Sequence, residues 1–138
     1  MQYKDGGWHI LYSYRVLIID DNAGIRLLLR EILGAYGFTI SEAANGIVGC
    51  KVAAEFKPDL ILIDYKMPQL NGPSTLKRMS NNGIKVPAIM ITAFNEGFCS
   101  EELKCPNLYK CITKPFNITN LLETINECLG NKNTLARA

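Results

Sequence analysis

Five side chains able to do chemistry share one kind of position in this sequence. Asp20 and Asp21 directly follow the apolar run Arg15-Val16-Leu17-Ile18-Ile19, and Asp64 follows Leu60-Ile61-Leu62-Ile63. Thr92 closes a run over residues 86–92, and Lys114 follows another over residues 109–113. Alone, each is weak: an aspartate after a strand is commonly a turn former, a threonine a strand former, a lysine a solvated charge. Together they would deliver three carboxylates, a hydroxyl and an ammonium to one edge of a parallel sheet. Crowded carboxylates repel one another and require a cation. Oxygen donors with room for water suit Mg²⁺. A phosphoryl group there would place one oxygen on the metal, one near Lys114 and one within reach of Thr92, the arrangement that spreads charge in phosphoryl transfer. Asp64 would then be a carboxylate nucleophile able to form an aspartyl phosphate.

The elements that must position these groups are legible as short apolar, β-branched strands alternating with helical patterns. Strands are expected at residues 15–19, 38–43, 60–63, 86–92 and 109–113. Ile25, Leu28, Leu29, Ile32, Leu33 and Tyr36 make an apolar helical stripe closed by Gly37. Further helices are expected at residues 46–56, 74–81 and 95–104, and from residue 118 to 129 with Asn117 as N-cap. Strands without polar alternation suit a parallel sheet covered on both faces, hence a doubly wound α/β sandwich. Chemistry in such folds sits outside the carboxyl ends of the strands.

Composition narrows the classes. A chain of 138 residues, 48% hydrophobic and 20% charged, can build one core of its own. Fifteen Lys+Arg against thirteen Asp+Glu leave +2, too little to point to nucleic acid or an anionic membrane. No apolar run reaches bilayer length and no signal peptide is evident, so the cytoplasm is the expected compartment. Five cysteines, none in a CxxC pair, are expected to be reduced and mostly buried. The six-residue spacing of Cys99, Cys105 and Cys111 is read the same way. His9 is the single histidine, which disfavours a zinc site or a Ser-His-Asp triad. Asn117-Ile118-Thr119 is read as a helix cap rather than a glycosylation site.

With these residues in order, residues 15–129 resemble the receiver domain of bacterial two-component response regulators. The motifs that carry the likeness are Val16-Leu17-Ile18-Ile19-Asp20-Asp21, Ile61-Leu62-Ile63-Asp64-Tyr65-Lys66-Met67-Pro68, Ile89-Met90-Ile91-Thr92-Ala93 and Lys114-Pro115-Phe116. The segment Asp20-Asp21-Asn22-Ala23-Gly24-Ile25-Arg26, the basic Lys66 and Leu76-Lys77-Arg78-Met79 are most similar to single-domain sporulation-phosphorelay receivers. The resemblance implies a CheY-like, flavodoxin-like sheet of order 2-1-3-4-5 flanked by five helices. It implies Asp64 as phosphoacceptor, and Mg²⁺ held by Asp20, Asp21, Asp64 and the backbone carbonyl of Lys66. Thr92 and Lys114 would sense the phosphate, and the Lys114-Pro115 bond would be cis. Where receivers often carry Tyr, Phe or His three residues before the strand-five lysine, this sequence has Cys111. Tyr109, two residues earlier, is expected on the same side of the strand. Ile25, Leu28, Pro115 and Phe116, with an exposed Leu27, are candidates for a partner surface.

The implied organisation is an N-terminal extension at 1–14 that could extend strand one or cover a surface but by default is expected to fray, a receiver domain at 15–129, and a tail at 130–138 too short for an output domain. The expectation is a monomeric stand-alone carrier, not a turnover enzyme, that takes a phosphoryl group from a histidine kinase or histidine phosphotransfer protein. It would relay the group, or display it to a target as chemotaxis receivers do. An aspartate-nucleophile phosphatase is the rival from another class. Those enzymes usually carry a second Asp two residues after the nucleophile, where this sequence has Lys66. A pure interaction module would not need the intact set of pocket residues, and Asp20-Asp21 would repel the phosphate of FMN.

Overall fold

The computed structural model describes residues 13–93 and 105–132. Five strands form one parallel sheet: β1 (Arg15–Ile19), β2 (Thr39–Ala43), β3 (Leu60–Asp64), β4 (Ala88–Thr92) and β5 (Leu108–Thr113). Their spatial order is β2-β1-β3-β4-β5, as expected for a CheY-like receiver. Four helices connect and cover them among the described residues: α1 (Ala23–Ala35), α2 (Gly46–Phe56), α3 (Gly72–Asn81) and α4 (Ile118–Lys132). The helix expected at residues 95–104 lies outside the described residues.

β1, β3 and β4 carry apolar side chains on both faces, and the sheet separates two cores. Val16, Ile18, Leu60, Leu62 and Ile89 pack with Leu29 and Leu33 of α1 and with Leu121, Ile125 and Leu129 of α4. Leu17, Ile19, Ile61, Ile63 and Met90 face Ala53 of α2 and Leu76 and Met79 of α3. Each fully buried leucine or isoleucine stabilises the fold by about 1.5–3 kcal/mol relative to exposure. Each of the four helices among the described residues is started by an asparagine. The side-chain oxygens of Asn22, Asn45, Asn71 and Asn117 accept from the backbone N–H groups of Ile25, Val48, Ser74 and Asn120 at 2.8–3.1 Å. Four side-chain caps thus fix where β1, β2, β3 and β5 turn into the helices that follow them.

Three expectations are corrected. The α1 stripe is narrower than its spacing suggested. Leu29 and Leu33 are buried and Ile25 packs against the core, whereas Leu28 and Tyr36 are 47% and 61% exposed. Residues 13 and 14 belong to the fold rather than to a frayed extension. The Tyr14 carbonyl accepts from Thr39 N–H at 2.9 Å, and the Ser13 hydroxyl donates to the Gly37 carbonyl at 2.9 Å. At the other end α4 continues past Leu129 to Lys132, into the span read as tail.

Candidate functional site

The strand ends meet as their spacing requires. Asp20, Asp21 and Asp64 each offer a carboxylate oxygen, and these oxygens all lie within 4.8 Å of one another. Asp20 and Asp64 are buried, at 3% and 7% exposure, and Asp21 is exposed. The Lys114 ammonium reaches in from beyond β5, its Nζ 3.2 Å from Asp64 Oδ1. Thr92, on the adjacent strand β4, is buried at 1% exposure, and its carbonyl accepts from Lys114 N–H at 2.6 Å. The Lys114–Pro115 peptide is cis.

Electrostatics follow from this crowding. Burial pushes the Asp20 carboxyl above its ordinary pKa, opposed by the Asn22 N–H that donates to Asp20 Oδ1 at 2.9 Å and by the charge of Lys114. Asp64 is raised as well, first by burial and then by the neighbouring Asp20 charge, with Lys114 pulling the other way. One ammonium is outnumbered by three carboxylates, two of them buried. Oxygen-only donors in a cluster of this size, short of positive charge, fit Mg²⁺.

Lys66 sits exposed in the loop after Asp64. That loop is closed by Gly72, whose N–H donates to the Tyr65 carbonyl at 2.8 Å. The β5 candidates are placed differently from the sequence reading. The register between β4 and β5 shifts after Ala88: Ala88 pairs with Leu108 but Ile89 with Lys110, so the register steps over Tyr109. Leu108 and Cys111 consequently pack in the same core although their separation is odd. The bulge breaks the simple alternation that aligned Tyr109 with Cys111, and Tyr109 is 37% exposed. Cys111 is disulfide-bonded, not the reduced thiol expected, while Cys50, Cys105 and Cys128 carry thiols outside any disulfide. Cys111, Pro115 and Phe116 line one cavity of about 350 Å³ between β5 and the start of α4. On α1, Leu27 and Leu28 are exposed, whereas Ile25 is half-buried.

Two residues received no role in the sequence reading, Glu42 and Arg26, the latter quoted only as the end of a motif. Arg26 donates from Nη1 to the Asp20 carbonyl at 2.7 Å and from Nε to Glu42 of β2 at 3.1 Å. The available signal was a glutamate inside a strand with an arginine one turn into the preceding helix.

A five-stranded parallel sheet of this order, with acidic groups from two strand ends facing a lysine from a third, defines a receiver-type α/β domain. A family model for the response regulator receiver domain matches residues 16–126, and the chain belongs to that family. It is 33% identical over 122 residues to sporulation initiation phosphotransferase F of Bacillus subtilis, covering 88% of this chain and 98% of that one. It is 31% identical to the chemotaxis protein CheY of the same organism, over 86% of this chain and 99% of that one. The solved structure of Vibrio cholerae CheY4 superposes with a TM-score of 0.79 at 26% identity, covering 85% of this chain and 99% of that one. The chain is thus a signalling domain of the two-component type. Receiver domains hold Mg²⁺ in an acidic pocket, and the Asp20, Asp21 and Asp64 group has that composition. No helix among the described residues is long and apolar enough to cross a membrane.

Proposed function

We propose that this chain is a phosphorelay receiver that takes a phosphoryl group from a phosphohistidine onto Asp64 in the cytoplasm and passes it on or displays it to a partner. The observation that carries the reading is the Lys114 ammonium 3.2 Å from Asp64 Oδ1, within a group of three carboxylates. Asp20, Asp21, Asp64 and the Lys66 carbonyl would hold Mg²⁺, which supplies positive charge to the transferring phosphoryl oxygens. Asp64 attacks phosphorus through a carboxylate oxygen, the phosphorus–nitrogen bond to the donor histidine breaks, and its electron pair returns to the imidazole. Lys114 neutralises charge on the arriving group, and Thr92 offers it a hydroxyl. The new phosphate adds about −1.5 to −2 charge at neutral pH, a local change able to bias a two-state element.

The relay role over mere display is supported by the likeness to sporulation initiation phosphotransferase F along nearly the whole of that protein. Exposed Leu27 and Leu28 on α1 provide apolar surface for a phosphohistidine-bearing partner. The test is to mix the chain with a ³²P-labelled histidine phosphotransfer protein and Mg²⁺. Label should move to this chain and back to the histidine protein, and chelation should stop both directions. Steady release of inorganic phosphate from a phosphomonoester, without a labelled chain, would favour the phosphatase reading instead.

A further inference from the structure

Asp20 and Asp21 are neighbours in sequence, so the peptide joining them decides where the two carboxylates stand relative to each other. That peptide lies just past β1, where the strand ladder is ending. The Asp20 N–H still donates to Ala43 of β2 at 3.1 Å. The Asp20 carbonyl leaves the ladder and accepts instead from Arg26 Nη1 at 2.7 Å. The guanidinium is held in turn: Nε donates to Glu42 Oε1 at 3.1 Å, while Arg30 occupies the other oxygen of the same carboxylate. Arg26 is mostly shielded, at 19% side-chain exposure. A planar guanidinium tied at two nitrogens to the Asp20 carbonyl just past β1 and to Glu42 of β2 is a rigid bridge, which a lysine ammonium would not reproduce.

We infer that Arg26, oriented by Glu42, is a positioning residue for the divalent-ion site, fixing the Asp20–Asp21 peptide plane so that both carboxylates face the same ion. This rests on the Mg²⁺ site proposed above. Outer partners that orient metal ligands commonly change metal affinity by about 10–100-fold when removed. Arg15 supplies an internal control. It stands at the opposite end of β1, donates from Nε to the Phe56 carbonyl at 2.9 Å and lies 4.6 Å from the centre of the Phe56 ring. Its loss removes a comparable arginine–carbonyl bond from the same strand without touching the aspartate pair.

The experiment is calorimetric titration with MgCl₂ alone, beside urea unfolding, on the full chain and its Arg26→Gln, Arg26→Lys, Glu42→Gln and Arg15→Gln variants. Arg26→Gln should weaken Mg²⁺ binding by about 10-fold, with Arg26→Lys failing to restore it and Glu42→Gln losing less. Arg15→Gln should lower urea resistance yet leave the Mg²⁺ affinity of the full chain. Unchanged affinity in Arg26→Gln, or an equal loss in Arg15→Gln, would overturn the inference. Should Arg26→Gln not fold, Arg26→Lys and Glu42→Gln decide it, and wild-type affinity in both would overturn it. Absence of Mg²⁺ binding to the unaltered chain would instead remove the site on which the inference stands.

Discussion

A Cβ placed on Gly72 would stand 2.7 Å from the main-chain oxygen of Asp64 and 3.2 Å from the Tyr65 Cα. Both obstacles are backbone, so neither can swing aside. The loop that leaves Asp64 and carries Lys66 is therefore drawn closed at a point where only glycine fits. Gly72→Ala should cost about 1–3 kcal/mol in urea unfolding, the range for forced overpacking. It should also weaken Mg²⁺ binding, because the displaced loop holds the Lys66 carbonyl. Wild-type values for both would show that the loop yields without consequence.

Removing Lys114 separates its two contributions. Lys114→Ala leaves Asp64 facing Asp20 with no ammonium 3.2 Å away. Stability at neutral pH should fall by about 1.5–3 kcal/mol, the range for losing a hydrogen bond to a charged group. The rate of phosphorylation by acetyl phosphate should drop by about 100-fold, as when one preorganised donor to a developing charge is lost. An unchanged rate, measured by quenched-flow labelling, would remove Lys114 from the reacting set.

The raised pKa values of Asp20 and Asp64 give a signed pH dependence. A carboxyl whose folded pKa exceeds its unfolded one binds its proton more tightly in the native state, so its stabilising effect is complete below the unfolded value, near 3.8. That effect is lost as pH rises through the higher folded value. Without divalent ions at pH 7, ionised Asp20 and Asp64 therefore work against the fold. Asp20→Asn should raise the melting temperature there by a few degrees, with the gain vanishing toward pH 3. It should also cut the stabilisation given by Mg²⁺. A variant less stable than wild type at pH 7 would contradict the burial argument.

The exposed pair on α1 predicts a split between donors. Leu27 and Leu28 are 58% and 47% exposed, so Leu27→Ser and Leu28→Ser should shift stability by no more than about 0.5 kcal/mol. Phosphorylation by acetyl phosphate should be unaffected, while transfer from a phosphohistidine protein should slow. Equal rates with both donors would move the docking surface elsewhere.

Much of this architecture could be read from residue order, because parallel strands buried on both faces are apolar throughout and end abruptly in charge. Asp20, Asp21, Asp64, Thr92 and Lys114 were placed by that rule alone, and the structure gathers their strand ends at one edge. The rule failed where local geometry departs from its period. The β4–β5 register shift skips Tyr109 and undoes the inference from strand alternation. Helical spacing likewise could not say that Leu28 and Tyr36 lie at the margins of the buried face, since the width of that face depends on what packs against it. Arg26 and Glu42 form their ion pair between α1 and β2, a contact that exists only once the helix lies back on the sheet.

Intact mass spectrometry after incubation with acetyl phosphate and Mg²⁺ tests the central claim most directly. The account predicts a single added phosphoryl group, labile to base and stable to acid, confined to the peptide that carries Asp64 and absent from Asp64→Asn. Phosphorylation that persists in Asp64→Asn, or that maps to any other residue of the unaltered chain, would contradict it.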